Sequence, residues 1–164
     1  MLDLIVLNVR HPREFRGDLA AMIGSARVGE RRLAALLDEF GAEVAHAAIE
    51  AVLSGAERQV RAVIAGWPDG VYHGEAVLDD DGHGAKDVYI RAKVTKRGSG
   101  LEVDLSDSHP QVTGFINSSY PNMRSAVVVA LAYLIDPETP KHDGAFRPVS
   151  VIAREGTVVW ARPG

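Results

Sequence analysis

Apolar residues recur at helical spacing through the first quarter of the chain. Leu19, Met22 and Ile23, then Val28, Leu33, Leu36, Leu37 and Phe40, form the stripe of an amphipathic helix. Pro12 suits its first turn, with Glu14 and Asp18 where the helix dipole favours negative charge. Gly24 and Gly29 predict a break or kink in the middle, and Gly41 predicts the stop. A second stripe of Val44, Ala48, Val52, Ala56, Val60 and Val63 predicts a helix over 42–65, closed by Gly66, Pro68 and Gly70. Two helices joined by so short a turn are expected to pack antiparallel.

The period then changes. Residues 71–78 read as a strand and 79–84 as a polar turn. Val88, Ile90, Ala92 and Val94 alternate with Tyr89, Arg91, Lys93 and Thr95, the mark of a half-buried strand. A turn at 97–100 leads into Leu101, Val103 and Leu105, completing an antiparallel meander. Residues 106–122 have no period and are rich in Ser, Asn, Pro and Gly; so long a stretch is expected to be functional or to pack as ordered coil. Residues 124–135 are apolar nearly all round and predict a buried helix. Residues 146–152 and 157–161 read as two strands around the turn Arg154-Glu155-Gly156. The expected architecture is α+β: an N-terminal antiparallel helix pair, a small antiparallel sheet, a buried helix in the C-terminal half and a closing β-hairpin. All 164 residues are expected to form one domain, mainly helical over 1–69 and mixed over 70–164.

Composition narrows the function classes. Eighteen Lys and Arg against 22 Asp and Glu give a net charge of −4, spread evenly along the chain. That argues against a nucleic-acid binder, which needs a basic surface. The longest apolar run, 126–135, is about half a membrane span. Residues 1–7 are apolar but short, carry Asp3 and lack a basic lead, unlike a signal peptide. With no cysteine there is no disulfide framework, thiolate metal site or thiol nucleophile, and cytoplasmic residence is favoured.

Four groups of residues invite chemistry. Asp79, Asp80 and Asp81 resemble part of a calcium loop, but no Glu follows at the required distance, so a hairpin tip is the better reading. His73 and His83 could meet across the hairpin and share a metal, although no third ligand is evident. Asp104, Ser106, Asp107, Ser108 and His109 carry the residue types of a nucleophilic triad, but residues this close on one loop rarely converge. Residues 114–124 run into a helix start, where free N–H groups with Ser118, Ser119, Asn122 and Arg124 could hold an anion; plain capping by Ser119 or Asn122 is the competing account.

Several separated blocks also resemble one family. Asn8-Val9-Arg10-His11-Pro12, Gly17-Asp18-Leu19 and Arg27-Val28-Gly29-Glu30-Arg31-Arg32-Leu33 are followed by Asp104-Leu105-Ser106, Pro110-Gln111-Val112, Gly114-Phe115-Ile116-Asn117 and Arg124-Ser125-Ala126-Val127. Gly144-Ala145-Phe146-Arg147-Pro148-Val149 and Glu155-Gly156-Thr157 complete the set. In order and spacing these blocks are similar to those of the hydantoinase B/oxoprolinase family. The resemblance implies a B-type subunit of an ATP-dependent hydrolase of cyclic amides, of the N-methylhydantoinase or 5-oxoprolinase type, that works with a hydantoinase A-like subunit. It equally admits an acetone- or acetophenone-type carboxylase subunit acting on a ketone, or an assembly domain that docks the A-type subunit.

Family chains are much longer, so the resemblance marks this chain as an internal segment, inactive on its own. The family's metal ligands would fall before Met1. No metal ligand or cofactor site is therefore assigned here, while ATP and a divalent metal are implied for the full complex. Gln111, Asn117, Ser118, Arg124 and Arg147 are the matched polar positions expected to line a substrate-side surface. Arg offers a fork of donors to carboxylate or phosphoryl groups, and Asn117 could donate to a developing oxyanion. The implied partners are the A-type subunit, a small cyclic amide or ketone and possible further copies of the chain, with no nucleic acid and no membrane.

Overall fold

The computed structural model describes residues 2–163 and shows an α+β fold. Helix α1 spans Leu2–Val6, α2 Pro12–Phe40 and α3 Ala42–Ala65. Strands β1 (Gly70–Asp80), β2 (Lys86–Arg97) and β3 (Gly100–Asp104) follow, then α4 (Tyr120–Ala132), the short α5 (Asp143–Phe146) and β4 (Val149–Ile152). The chain divides into two compact units, one running to Glu50 and the other starting at Ala51.

In the first unit α2 runs without interruption through Gly24 and Gly29, contrary to the expected break. Each glycine costs only about 1 kcal/mol relative to Ala, and the Ala, Leu and Arg around them are good helix formers. Pro12 opens the helix, and Gly41 (φ +78°) closes it with its N–H on the Leu37 carbonyl. The expected burial of the stripe in an antiparallel helix pair is not found: no residue of α2 is buried.

The second unit is built on a four-stranded sheet in the order β1-β2-β3-β4. β1, β2 and β3 form the expected antiparallel meander. Ile90, Ala92, Val94 and Val103 face the apolar side, while Arg91, Lys93 and Asp104 face the other. Lys96 falls in the apolar register and is buried; the Asp69 carboxylate 2.6 Å from its Nζ satisfies it. That contact holds the Asp69 carboxyl below the usual carboxylate range.

The sheet is mixed, and two expectations fail together here. β4 pairs parallel to β3, and residues 157–161 do not pair with it, so there is no closing hairpin. The turn at 154–156 instead sends the chain beside the loop after β3, where Val158 N–H donates to the His109 carbonyl at 2.9 Å. α4 also departs from expectation. Met123 and Leu131 are buried but Val129 is 52% exposed, because the helix covers the sheet with one face only.

The core has two clusters. Ala56, Val60 and Ile64 of α3 meet Leu131, Ile135 and Ala145. Val88, Leu105, Met123, Val158 and Val159 form the second. Each fully buried aliphatic side chain contributes about 1.5–3 kcal/mol. α5 packs so closely on α3 that a Cβ on Gly144 would lie 2.2 Å from the Leu53 carbonyl oxygen.

Candidate functional site

The aperiodic stretch after β3 is ordered coil, laid along the part of β2 that extends past β3. Buried Ser108 does this with one hydroxyl, which accepts from the Arg91 N–H at 3.1 Å and donates to the Arg91 carbonyl at 3.3 Å. His109 N–H then donates to the Tyr89 carbonyl at 2.9 Å. This strand-like use of Ser108 removes it from a triad, and His109 Nδ1 lies against the Pro110 carbonyl instead.

Two side chains fix the next part of the loop. Asp81, 2% exposed, accepts backbone N–H groups from His83 (2.8 Å), Ala85 (2.9 Å) and Gly114 (3.1 Å). These donors, led by the His83 N–H, hold its carboxyl below the usual range against the opposing effect of burial. Gly114 approaches so closely that a Cβ there would sit 2.0 Å from the Asp81 carbonyl oxygen. Asn117 closes the loop from inside. Its Oδ1 accepts from the Val112 N–H at 3.0 Å, and its Nδ2 donates to the carbonyls of Val112 (2.6 Å) and Gly114 (2.9 Å).

The acidic hairpin tip is likewise turn chemistry, since Asp80 Oδ1 accepts from the Gly82 N–H at 2.8 Å. The expected meeting of His73 and His83 does not occur. His73 sits opposite Lys93 in mid-hairpin, whereas His83 lies in the turn beyond the Asp80–Lys86 pair. Among the described residues no three His, Asp or Glu side chains are grouped to hold a metal ion.

Three cavities border this loop, one of them an open polar one of about 690 Å³ lined by His83, His109, Gln111 and Arg162 among others. A second polar one of about 410 Å³ lies on the outward face of the sheet, lined by His73, Glu75, Arg91, Lys93, Asp104 and Asp107. Glu75 and Arg91 are cross-strand partners and form an ion pair, which raises the Arg91 pKa further. The Arg91 guanidinium also stacks 4.2 Å from the Tyr89 ring centre, and Tyr89 packs edge-on to His109. The Ser106 hydroxyl and N–H keep the Asp104 carboxyl below its usual range. Strand alternation put Arg91 and Lys93 on one face, but the register that adds His73, Glu75 and Asp104 is a non-local fact.

The third cavity, about 530 Å³, runs between the apolar face of the sheet and α4. Its walls include Ile90, Val94, Val103, Met123 and Val127, with Ser118 and Asn122 as its polar residues. Asn122 Nδ2 donates to Ser118 Oγ at 2.9 Å, so neither Asn122 nor Ser119 caps α4 through its side chain.

The five residues expected on a substrate-side surface are only partly together. Asn117 and Ser118 are adjacent, and Ser118 alone of the five lines the apolar cavity. Gln111 is spent on the backbone of Arg162, accepting from its N–H at 2.7 Å and donating to its carbonyl at 3.2 Å. Arg124 lines a small separate pocket under α4. Arg147 lies on a different side, 3.5 Å from Glu57, whose carboxyl is held low chiefly by Arg61 and then by Arg147. The two arginines therefore do not join Asn117 around one cavity.

Comparison with known proteins covers the whole chain. The family model described as Hydantoinase B/oxoprolinase matches residues 1–164. The caprolactamase beta subunit of Pseudomonas jessenii is 39% identical over 163 residues, covering 99% of this chain and 28% of that protein. The B-type subunit of a putative D-/L-hydantoinase from Pseudomonas sp. (strain NS671) is 31% identical over 170 residues, 95% of this chain and 28% of its own length. The crystal structure of the ATP-dependent caprolactamase from Pseudomonas jessenii superposes with a TM-score of 0.83 at 38% identity, over 98% of this chain and 28% of that one. The chain thus spans little more than a quarter of the relatives it matches.

Proposed function

The chain belongs to the hydantoinase B/oxoprolinase family, and from that premise we propose that it serves as one domain, 1–164, of the B-type subunit of an ATP-dependent cyclic-amide hydrolase. The observation that carries this reading is the end-to-end match, in sequence and in fold, to a caprolactamase beta subunit. The chain acts within the longer polypeptide and alongside a hydantoinase A-like partner. ATP and a divalent metal enter with those other parts.

Within that assembly the 105–119 loop is the substrate-side element. Ser118 stands at the apolar cavity, which suits the hydrocarbon part of a cyclic amide, with Asn122 beside it. Asn117 and Gln111 are positioning residues: one closes the loop from inside and the other ties it to Arg162. Arg124 and Arg147, on other faces, meet neighbouring parts of the enzyme. Their dispersal also favours a second reading, in which the chain is an assembly domain that docks the A-type subunit and makes no substrate contact.

The test is the full-length B-type chain produced with its A-type partner, assayed for ATP cleavage coupled to ring opening of a lactam, a hydantoin and 5-oxoproline. Ser118→Ala is expected to lower kcat/KM at least tenfold while the complex still assembles, and Arg124→Ala to leave kcat/KM within about threefold. Ser118→Ala with unchanged kinetics but Arg124→Ala with lost assembly would establish the docking reading. ATP-dependent carboxylation of a ketone, without ring opening of any cyclic amide, would overturn the hydrolase reading.

A further inference from the structure

Helix α2 carries a second pattern beneath its broad stripe. Phe15, Leu19, Met22, Ala26, Gly29, Leu33, Leu36 and Phe40 follow one another at steps of four and three residues, a coiled-coil seam running the length of the helix. Phe15 and Leu19 are half-buried; Met22 is 66%, Leu33 46%, Leu36 48% and Phe40 50% exposed. Nothing lies within 4 Å of the position a Cβ would take on Gly29.

The seam is a palindrome in side-chain size. Three large residues, two small ones and three large ones are symmetric about the midpoint between Arg27 and Val28. Laid antiparallel on a copy of itself about that midpoint, Phe15 meets Phe40, Leu19 meets Leu36, Met22 meets Leu33 and Ala26 meets Gly29. Each pair joins the two alternating seam positions, as antiparallel packing requires, and the small pair falls at the two-fold axis, where the backbones come closest. A two-fold interface demands this self-complementarity, because each residue must face its partner in both directions. A foreign helix makes no such demand.

We propose that α2 is a homodimerisation helix, pairing antiparallel with α2 of a second copy about an axis between Arg27 and Val28. The helix has 29 residues, and the seam from Phe15 to Phe40 runs about 38 Å at 1.5 Å per residue. One flank is unfavourable: Asp18 faces Glu39 of the second copy at both ends. Both are exposed, and neither side chain forms a hydrogen bond or ion pair among the described residues. This proposal concerns assembly and stands apart from the functional reading above.

The flank supplies a gain-of-affinity test. Asp18→Lys converts two repulsions into two attractions, and sedimentation velocity should show dimerisation tightened about fivefold. Met22→Glu with Leu33→Glu should weaken it at least 100-fold, since charges would enter the seam. The chain has no cysteine, so single spin labels report geometry directly. Labels at Gly17→Cys and Asp38→Cys should each give copy-to-copy separations of about 30 Å along the axis, and a label at Ser25→Cys should lie under about 10 Å along it. A monomer whose state Asp18→Lys does not change, or a dimer whose label separations are not shortest near residue 25, would overturn the proposal.

Discussion

Helix α2 is periodic over 29 residues and buries none of them, whereas residues 105–119 have no period and are tied down by hydrogen bonds from three directions. The helix forms because its backbone bonds are internal and its residues favour the state, with little help from packing. The loop exists only because Asp81, Asn117, Ser108 and Gln111 replace the missing ladder bond by bond. Local order and tertiary order are thus separate in this molecule. The same class of substitution should act with different size, and even opposite sign, in the two regions.

The largest effect is expected at Gly114. A methyl group there would meet the Asp81 carbonyl oxygen at 2.0 Å, and a backbone atom cannot rotate away. Gly114→Ala should cost about 3 kcal/mol or more in urea unfolding, or prevent folding of the second unit. A cost below about 1 kcal/mol would break the comparison, since the loop would then be free to move.

Asn117→Ala comes next. It removes one acceptor and two donors from the Val112 and Gly114 backbone and leaves those groups without partners. A loss of about 2–3 kcal/mol is expected. Faster amide exchange confined to residues near the loop would sharpen the picture, while exchange spread evenly over the sheet would count against a local role for the staple.

Asp81 adds a pH dependence. Its carboxyl is held below its unfolded value, so the stability it provides is present above about pH 4 and is lost as pH falls through the lowered folded value. Asp81→Asn should therefore be less stable than the parent at pH 7, and the gap should close in acid. A gap constant from pH 7 to pH 3 would show that the charge does not matter.

What was legible in the sequence follows the same division. Pro12, Gly41 and Gly66 mark helix ends by local backbone rules, and the α3 limits of 42–65 coincide with the structure. The alternation over residues 88–95 found β2 because a strand's faces are written in its own residues. The parallel pairing of β4 was not legible, because it depends on where a crossover of more than 40 residues returns. Nor was the Asp81–Gly114 contact, which joins positions 33 residues apart. The family blocks located the loop but not its geometry: Arg124 and Arg147 belong to matched blocks yet line separate pockets. Adjacency within a motif fixes identity, whereas convergence in space is set by the elements between.

The smallest effect, and the one of opposite sign, is expected on α2. Gly24 lies in mid-helix with nothing within 4 Å of its would-be Cβ. Ala there reduces the entropy lost on ordering the chain and meets no obstacle, so Gly24→Ala should raise helix stability by about 0.5–1 kcal/mol. The residue lies off the Phe15–Phe40 seam, so the sedimentation behaviour of the chain should stay as it is. Helix content followed by circular dichroism through a thermal ramp measures the first point, and sedimentation velocity the second. If Gly24→Ala destabilised α2, something would have to crowd that face, and a helix held by its own backbone would no longer be the right contrast to a loop held by its neighbours.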